Sequence, residues 1–181
     1  MAILTIIEAP HPILSKKARP VREDEFTDAL RQHLSDMAET MYAAPGVGLA
    51  APQVSDSRQI LVADPGNQED ENGEKHPDLL LMVNPQITER SREKITYEES
   101  CLSVPEFYLD VKRARRILVR WQDGDMKTHE RWFEGFPSIV LQHELDHLNG
   151  KTLLDKSSRL KRSRYISRSR KKKRGRAMSP A

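Results

Sequence analysis

The chain has 181 residues, of which 37% are hydrophobic and 31% charged, and its formal net charge is +3. This length suits one domain with its own apolar core, and no run of 18 apolar residues is present that could span a membrane. One cysteine excludes an internal disulfide, and the first residues lack the basic segment and cleavage site of a secretory signal, so we expect a cytoplasmic protein.

Charged residues are divided unevenly along the chain. Residues 156–176 contain 12 of the 30 Lys and Arg, and no acidic residue follows Asp155, which leaves 18 basic and all 27 acidic groups in residues 1–155. We therefore predict one domain over residues 1–155 and a basic tail over residues 156–181. The tail is expected to be helical over residues 157–168 and disordered beyond them, because it contains few apolar residues.

Two elements are predicted near the N-terminus. Residues 3–8 form a short strand or an extended arm, and the segment Asp24–Ala43 forms an amphipathic helix that Pro45 ends. The apolar residues of this helix recur at steps of three and four, namely Phe26, Leu30, Leu34, Met37 and Met41. Such a stripe is typical of a helix face that packs on the core.

The middle of the chain predicts mainly β-structure. Residues 59–63 and 79–83 have the composition of strands, and the acidic, turn-rich residues 64–78 between them predict an exposed and mobile loop. A further strand is indicated by three residues that alternate with their neighbours, Ile117, Val119 and Trp121. Residues 128–136 are expected to return beside it as the second strand of a hairpin.

A second helix is predicted between Pro137, which suits the first helical turn, and Gly150, which suits a helix end. The order of helix, strands, helix and tail indicates an α+β fold. We expect mainly antiparallel β-sheets packed around this second helix, which is the candidate metal-binding helix, and an amphipathic helix on its N-terminal side.

The second helix contains the segment QHELDH at residues 142–147. Successive helical residues turn by about 100°, so His143 and His147 lie on one face, where both imidazoles can reach one metal ion. Apolar residues on both sides indicate a buried helix, in which ionised Glu144 and Asp146 need a cation nearby. The alternative is a surface helix that carries histidines by chance.

The H-E-x-x-H spacing favours Glu144 as a general base, the role of this glutamate in metallohydrolases, although helical periodicity alone does not separate Glu144 from Asp146. A catalytic ion also needs a third protein ligand. Downstream the chain offers only Asp155, whereas the upstream thiolate of Cys101 suits Zn²⁺ or Fe²⁺. The alternatives for Cys101 are a small buried hydrophobe and a nucleophilic Cys–His pair.

A third feature is the segment GVGLAAPQ over residues 46–53, in which two glycines permit close backbone approach before a terminal amide side chain. Together, GVGLAAPQ, ESCLS and QHELDH resemble the three motifs of the peptide deformylase family in order and spacing, over about residues 3–160. Ser100 departs from that family, which usually has glycine before the metal-binding cysteine, so the loop is expected to differ in detail. Tyr108 stands where some relatives carry arginine, which is expected to shift the preference for substrate residues beyond the first.

The resemblance implies that residues 1–155 form a catalytic domain that removes the N-formyl group from the N-terminal formylmethionine of newly synthesised proteins and releases formate. It implies Fe²⁺ as the cofactor, with Zn²⁺, Ni²⁺ or Co²⁺ as substitutes in preparations. The implied ligands are Cys101, His143 and His147. Glu144 is then the implied base, and the implied oxyanion donors are the Gln53 amide and the backbone N–H of Leu102.

N-formylmethionyl nascent peptides are the implied substrates. Such a peptide is expected to add as an extended strand beside residues 46–49, so the predicted contacts include Gly46, Val47 and Gly48. The methionine side chain needs an apolar pocket, for which the candidates are Phe136, Ile139 and Val140. For Phe136 and Val140, ordinary core packing is the alternative.

The basic tail suits a polyphosphate partner, and the resemblance makes ribosomal RNA the natural hypothesis, because a deformylase acts on chains that leave the ribosome. The alternative is a solvated arm that balances an acidic body. Two further readings of the whole chain remain open at this point. One is a different metallohydrolase of small amides, and the other is a catalytically silent metal protein that binds RNA through its tail.

Overall fold

The computed structural model describes residues 2–67 and 73–178, with the side chains of the last helix described through residue 172. Its α-helices are α1 (Asp28–Ala43), α2 (Phe136–Leu148), α3 (Leu153–Lys156) and α4 (Arg159–Met178). Its strands are β1 (Gly48–Ala50), β2 (Ile60–Ala63), β3 (Leu80–Arg90), β4 (Lys94–Cys101), β5 (Val104–Ala114), β6 (Arg116–Gln122) and β7 (Thr128–Glu134).

The strands form two antiparallel sheets. The larger sheet has the order β1-β2-β3-β6-β7, and β4 and β5 form a separate two-stranded sheet. Every ladder between these strands is antiparallel. The expected α+β class with antiparallel sheets is therefore confirmed. Helix α2 contacts β1 and β2 of the larger sheet and β5 of the smaller one, so its side chains face both sheets.

The two faces of the larger sheet bury different clusters of apolar side chains. One face packs against α2, with Leu61, Met82, Ile117, Val119 and Leu141 in the cluster. The other face packs against α1, with Leu30, Leu34, Met37, Ile60 and Val62 in the cluster. Helix α1 begins four residues later than predicted, because Glu25 accepts hydrogen bonds from Arg19 and the Arg22 backbone and so holds a separate short turn.

The N-terminal residues form an extended arm without a ladder. The Leu4 N–H donates to Thr40 Oγ1 at 2.9 Å, and the Ile7 N–H donates to the Gln53 carbonyl at 2.7 Å. The mobile loop predicted over residues 64–78 cannot be compared in full, since residues 68–72 lie outside the described residues. Its described beginning, Pro65–Asn67, is one turn of 3-10 helix.

The basic tail packs on the body of the protein. The predicted boundary at residue 155 falls inside α3, whose Leu153 and Leu154 are buried, and Tyr165 and Ile166 of α4 pack on the same cluster. Helix α4 continues ten residues past the predicted end at 168, because arginine and lysine are good helix formers and the next proline is Pro180. Residues 179–181, for which disorder was predicted, lie outside the described residues. None of the described helices has the length and apolar character that crossing a membrane requires.

Candidate active site

Helix α2 is fixed against the end of β5 by its own polar side chains. It begins after Gly135, whose φ of 65° suits glycine, and Pro137 occupies its first turn. Gln142 Nε2 donates to the Ala114 carbonyl at 2.9 Å, and Gln142 Oε1 accepts from the Ala114 N–H at 3.2 Å. Because both bonds join the Gln142 amide to the backbone of Ala114, they fix where α2 lies along β5.

The thiol and the two imidazoles predicted as metal ligands converge. Cys101 Sγ at the end of β4 lies 3.2 Å from His147 Nε2, and the donor atoms of Cys101, His143 and His147 all lie within 4.8 Å of one another. Two ligand atoms of a tetrahedral Zn²⁺ ion are about 3.3–3.6 Å apart, given bond lengths near 2.0 and 2.3 Å. All three residues are buried. The donor set therefore fits one divalent ion.

The protonation of the two histidines differs. Burial lowers the pKa of His147, and the positive charges of His143 and Arg113 lower it further, so the neutral, metal-binding form prevails. Burial also opposes the charged form of His143, but interactions with Cys101 and Glu99 outweigh it and raise its pKa well above the ordinary value. An ion that binds here must displace that proton.

Glu144 is buried beside the ligands and one of its oxygens, Oε2, has no hydrogen-bond partner among the described residues. Burial raises the pKa of Glu144 to about 7, against the positive charges of His143 and Arg113. Gly48 makes room for this carboxyl, because a Cβ at that position would lie 2.5 Å from Glu144 Oε1. The first half of the GVGLAAPQ segment therefore has a steric role next to Glu144.

A buried ion-pair network stands behind the ligands. Glu99 Oε2 lies 2.8 Å from His143 Nδ1, and Glu99 also accepts two hydrogen bonds from Arg113. Arg113 in turn donates to Asp146 Oδ2 at 2.9 Å, and Lys156 pairs with the same oxygen. Burial alone would raise the pKa of Glu99, but the hydrogen bonds from Arg113 and His143 hold it below its usual value. The network fixes the ring of His143 and leaves its Nε2 for an ion.

We expect Arg113→Met to lower the free energy of unfolding by about 3–5 kcal/mol, because it leaves a buried carboxylate without its partner. Arg120→Met is the matched control. It breaks the exposed pair between Arg120 and Glu130, which is worth about 0–1 kcal/mol. Urea unfolding of both variants measures the difference, and equal losses would contradict the expectation.

Gln53 lies next to the thiol. Its Oε1 accepts from the Ala50 N–H at 2.8 Å, and its Nε2 lies 3.1 Å from Ser103 Oγ and 3.8 Å from Cys101 Sγ. Gln53 is fully enclosed, with 1% of its surface exposed. The amide donor therefore has a fixed direction, toward the turn that joins β4 to β5.

A cavity of about 420 Å³ opens beside Gln53, Cys101 and His143. It is lined by predicted residues from all three motifs and from the start of α2, namely Gly46, Val47, Gly48, Gln53, Cys101, Leu102, Phe136, Ile139, Val140, His143 and Glu144. His147 lies deeper and is not part of this lining. Sequence reasoning missed further lining residues, among them Tyr97, Glu98, Glu99 and Glu106, whereas Tyr108, which it connected with substrate preference, also lines the cavity. The available signal was the pair Glu98 and Glu99, which directly precedes Ser100 and Cys101 in the sequence.

Comparison with known proteins agrees with this geometry. The family model described as polypeptide deformylase matches residues 3–163. A peptide deformylase from Erythrobacter litoralis is 41% identical, and the alignment covers 94% of this chain and 97% of the relative. A peptide deformylase from Zymomonas mobilis is 45% identical over 90% of each chain.

Solved structures show the same likeness. The crystal structure of a peptide deformylase from Legionella pneumophila superposes with a TM-score of 0.83 at 39% identity and covers 99% of this chain and all of that one. The crystal structure of the peptide deformylase from Ehrlichia chaffeensis in complex with actinonin superposes with a TM-score of 0.88 at 36% identity. It covers 96% of this chain and 99% of that one. The family inferred from the three motifs is thus confirmed, and this chain belongs to the polypeptide deformylase family.

Proposed function

We propose that the site around Cys101, His143 and His147 hydrolyses the N-formyl group of N-formylmethionyl peptides and releases formate. The chain is a hydrolase of the deformylase family, and its substrates are newly synthesised, formylated peptides. The observation that carries the assignment is a cavity lined by a thiol, one imidazole and a buried carboxyl group, with the second imidazole, that of His147, close behind the thiol. Such substrates also support the expected cytoplasmic location.

Cys101 at the end of β4 would hold the ion together with His143 and His147 of α2, which is the proposed metal-binding helix. Three protein ligands leave a fourth position open, as in catalytic sites. A divalent ion supplies hydroxide at neutral pH, because it lowers the pKa of bound water toward 7. We propose Fe²⁺ as this ion. The single soft thiolate and two imidazoles also suit Zn²⁺, Ni²⁺ and Co²⁺ in preparations.

Glu144 is the proposed base and acid. Its carboxylate accepts a proton from the attacking water and returns it to the nitrogen of the leaving amine as the formyl C–N bond breaks. The pKa of about 7 suits both transfers, since a general base works best when its pKa lies near the working pH. Its Oε2, which has no partner in the described chain, is free to make this contact.

Gln53 Nε2 and the backbone N–H of Leu102 are the proposed donors to the oxygen that becomes negative during attack. We expect Gln53→Glu to lower kcat by about 10²–10³-fold, because one such donor is worth that much in the transition state. Glutamate keeps the acceptor for the Ala50 N–H, so the fold around residue 53 is retained. Steady-state formate release measures the effect, and a loss below tenfold would remove Gln53 from this role.

The proposed substrate path follows the edge of the larger sheet. Strand β1 pairs with β2 on one side only in the described sheet, so its other side can accept an extended peptide through backbone hydrogen bonds. Residues 46–48, which lead into β1 and include its first residue, are the proposed contacts on this side. Phe136, Ile139 and Val140 are then the proposed walls for the methionine side chain. Val140 belongs to the core as well, with 5% of its surface exposed.

Formate release from a formyl-Met peptide, with the matched acetyl-Met peptide as control, tests the assignment. We expect turnover of the formyl peptide only, after anaerobic purification and metal analysis of the same sample. Turnover of both peptides would favour a different amide hydrolase. Absence of turnover in the metal-loaded enzyme would favour a silent metal protein.

Ribosomal RNA is the proposed partner of the basic tail. In α4, Arg159, Arg164, Arg168 and Arg170 have no ion pair among the described residues. Replacing Arg164, Arg168 and Arg170 by glutamine should reduce the slope of log affinity for ribosomes against log salt by about 2–3, because each phosphate contact contributes about 0.7–0.9. An unchanged slope would favour the solvated arm.

A further inference from the structure

Helix α4 reaches the mouth of the cavity. The family match ends at residue 163, near the start of α4, yet later residues of the helix contact the segment 105–108, which we call the rim segment. Lys172 Nζ donates to both oxygens of Glu106 at 2.8 and 2.7 Å. Glu106 and Tyr108 line the cavity, so this part of the chain belongs to the surroundings of the site.

Three other residues of α4 fasten the helix to the rim segment and to the N-terminal arm. Lys161 Nζ donates to the Tyr108 carbonyl at 2.7 Å and lies 5.0 Å from the centre of the Phe107 ring. Tyr165 meets Phe107 edge to face at 5.5 Å, and Ser169 donates to the Ala9 carbonyl at 3.2 Å. These contacts occur along one face of α4, so Lys172 is held close to Glu106 by packing as well as by charge.

The mouth of the cavity is negatively charged. Glu98 and Glu106 both line it, and no lysine or arginine of the described chain is among the lining residues. Glu98 also stands opposite Asp110 in the β4–β5 ladder, and neither has an ion pair within the described chain. Like charges that face each other across a ladder are destabilising. A substrate side chain that enters here therefore meets uncompensated negative charge at Glu98 and partly compensated charge at Glu106.

We propose that Lys172 determines how strongly the cavity discriminates between basic and acidic side chains in the residues that follow formylmethionine. Lys172 cancels much of the charge of Glu106, so acidic peptides are rejected less than Glu98 and Glu106 alone would cause. The inference rests on the proposed function, because it places the substrate residues that follow formylmethionine at the mouth of the same cavity.

The expected size of the effect on substrate preference follows from the exposure of the Lys172 and Glu106 side chains. The side chains of Lys172 and Glu106 are 55% and 66% exposed, so the pair contributes little to folding, and its field acts through water. A unit charge about 8 Å from another in water changes an equilibrium about 2.4-fold, and less at high salt. Lysine and glutamate substrates shift in opposite directions, so the two effects multiply in their ratio. Removing Lys172 should therefore raise the preference for lysine over glutamate in the substrate by about fivefold at low salt.

The test uses formyl-Met tetrapeptides that carry one lysine or one glutamate at the second, third or fourth residue and alanine elsewhere. The lysine-to-glutamate ratio of kcat/KM is compared between the wild type and Lys172→Ala in dilute buffer and in 0.5 M salt. We expect the ratio to rise about fivefold at one position at least. The change should lie in KM and should disappear at high salt.

Two controls separate this role from general charge and from folding. Lys171→Ala removes the neighbouring lysine, which has no ion pair in the described chain, and should leave the ratio as in the wild type. Glu106→Gln removes the opposite charge of the same pair and should therefore lower the ratio instead of raising it. An unchanged ratio in Lys172→Ala, an equal change in Lys171→Ala, or a raised ratio in Glu106→Gln each overturns the inference. Failure of the proposed function would appear differently, as no formate release by the wild type.

Discussion

Glu144→Gln is expected to lower kcat for formate release by about 10³-fold or more while the bound ion is retained. Glutamine keeps the shape of the side chain and its place beside Gly48, but it cannot accept and return a proton. General acid–base catalysis by one positioned group contributes about 10²–10⁴-fold, and Glu144 is proposed to act in two successive transfers. The three ligands Cys101, His143 and His147 are untouched.

The measurement pairs turnover with metal analysis of the same preparation. Asp146→Asn is the matched control, because Asp146 is the other carboxylate of the QHELDH segment and bonds to Arg113 and Lys156 instead of lining the cavity. This variant should lose stability and keep kcat within about tenfold. The reverse result, with Asp146→Asn inactive and Glu144→Gln active, would exchange the two roles that helical periodicity left open.

The convergence of His143 and His147 could be predicted from the sequence because helical geometry is local. A spacing of four residues places two side chains on one face in any α-helix. The approach of Cys101 is a long-range contact, and no period in the sequence encodes it. Its prediction depended on the family resemblance and on the lack of another ligand downstream.

Arg113 and Glu99 could not be recognised in the same way. Both are buried charges, and hydropathy patterns assign charged residues to the surface. The alternation of β5 is also broken at Glu106, whose φ of 58° lies in the left-handed region. The buried residues of this strand are therefore unevenly spaced, namely Val104, Phe107, Val111, Arg113 and Ala114. A strand with such an irregularity and a proline does not show a period of two.

The contact between α4 and the rim segment escaped prediction for a related reason. Composition identified the tail as basic, and a basic segment with few apolar residues is usually solvated. Two of its residues, Tyr165 and Ile166, pack on an apolar cluster assembled from distant parts of the chain around Phe107 and Leu153. The helix is thereby brought to the cavity by packing that only the fold reveals.

Cys101→Ala is expected to abolish both bound metal and turnover. Loss of a residue that merely orients a ligand already lowers metal affinity about 10–100-fold, so loss of the sulfur ligand itself should exceed about a hundredfold. Two imidazoles alone leave the ion with too few protein ligands for a catalytic site. Metal content after dialysis and formate release at limiting metal measure the two effects.

Cys101→Asp separates the loss of a ligand from the loss of the thiolate. Aspartate supplies one oxygen ligand of similar length, and hard oxygen favours different ions from soft sulfur. We therefore expect this variant to bind an ion again, with lower affinity for Zn²⁺ and Fe²⁺ than the wild type. Affinity should also rise with pH in the wild type, because His143, whose pKa is raised, binds metal only after losing its proton. Full metal content and turnover in Cys101→Ala would instead make Cys101 a buried hydrophobe, and the ion would need another third ligand.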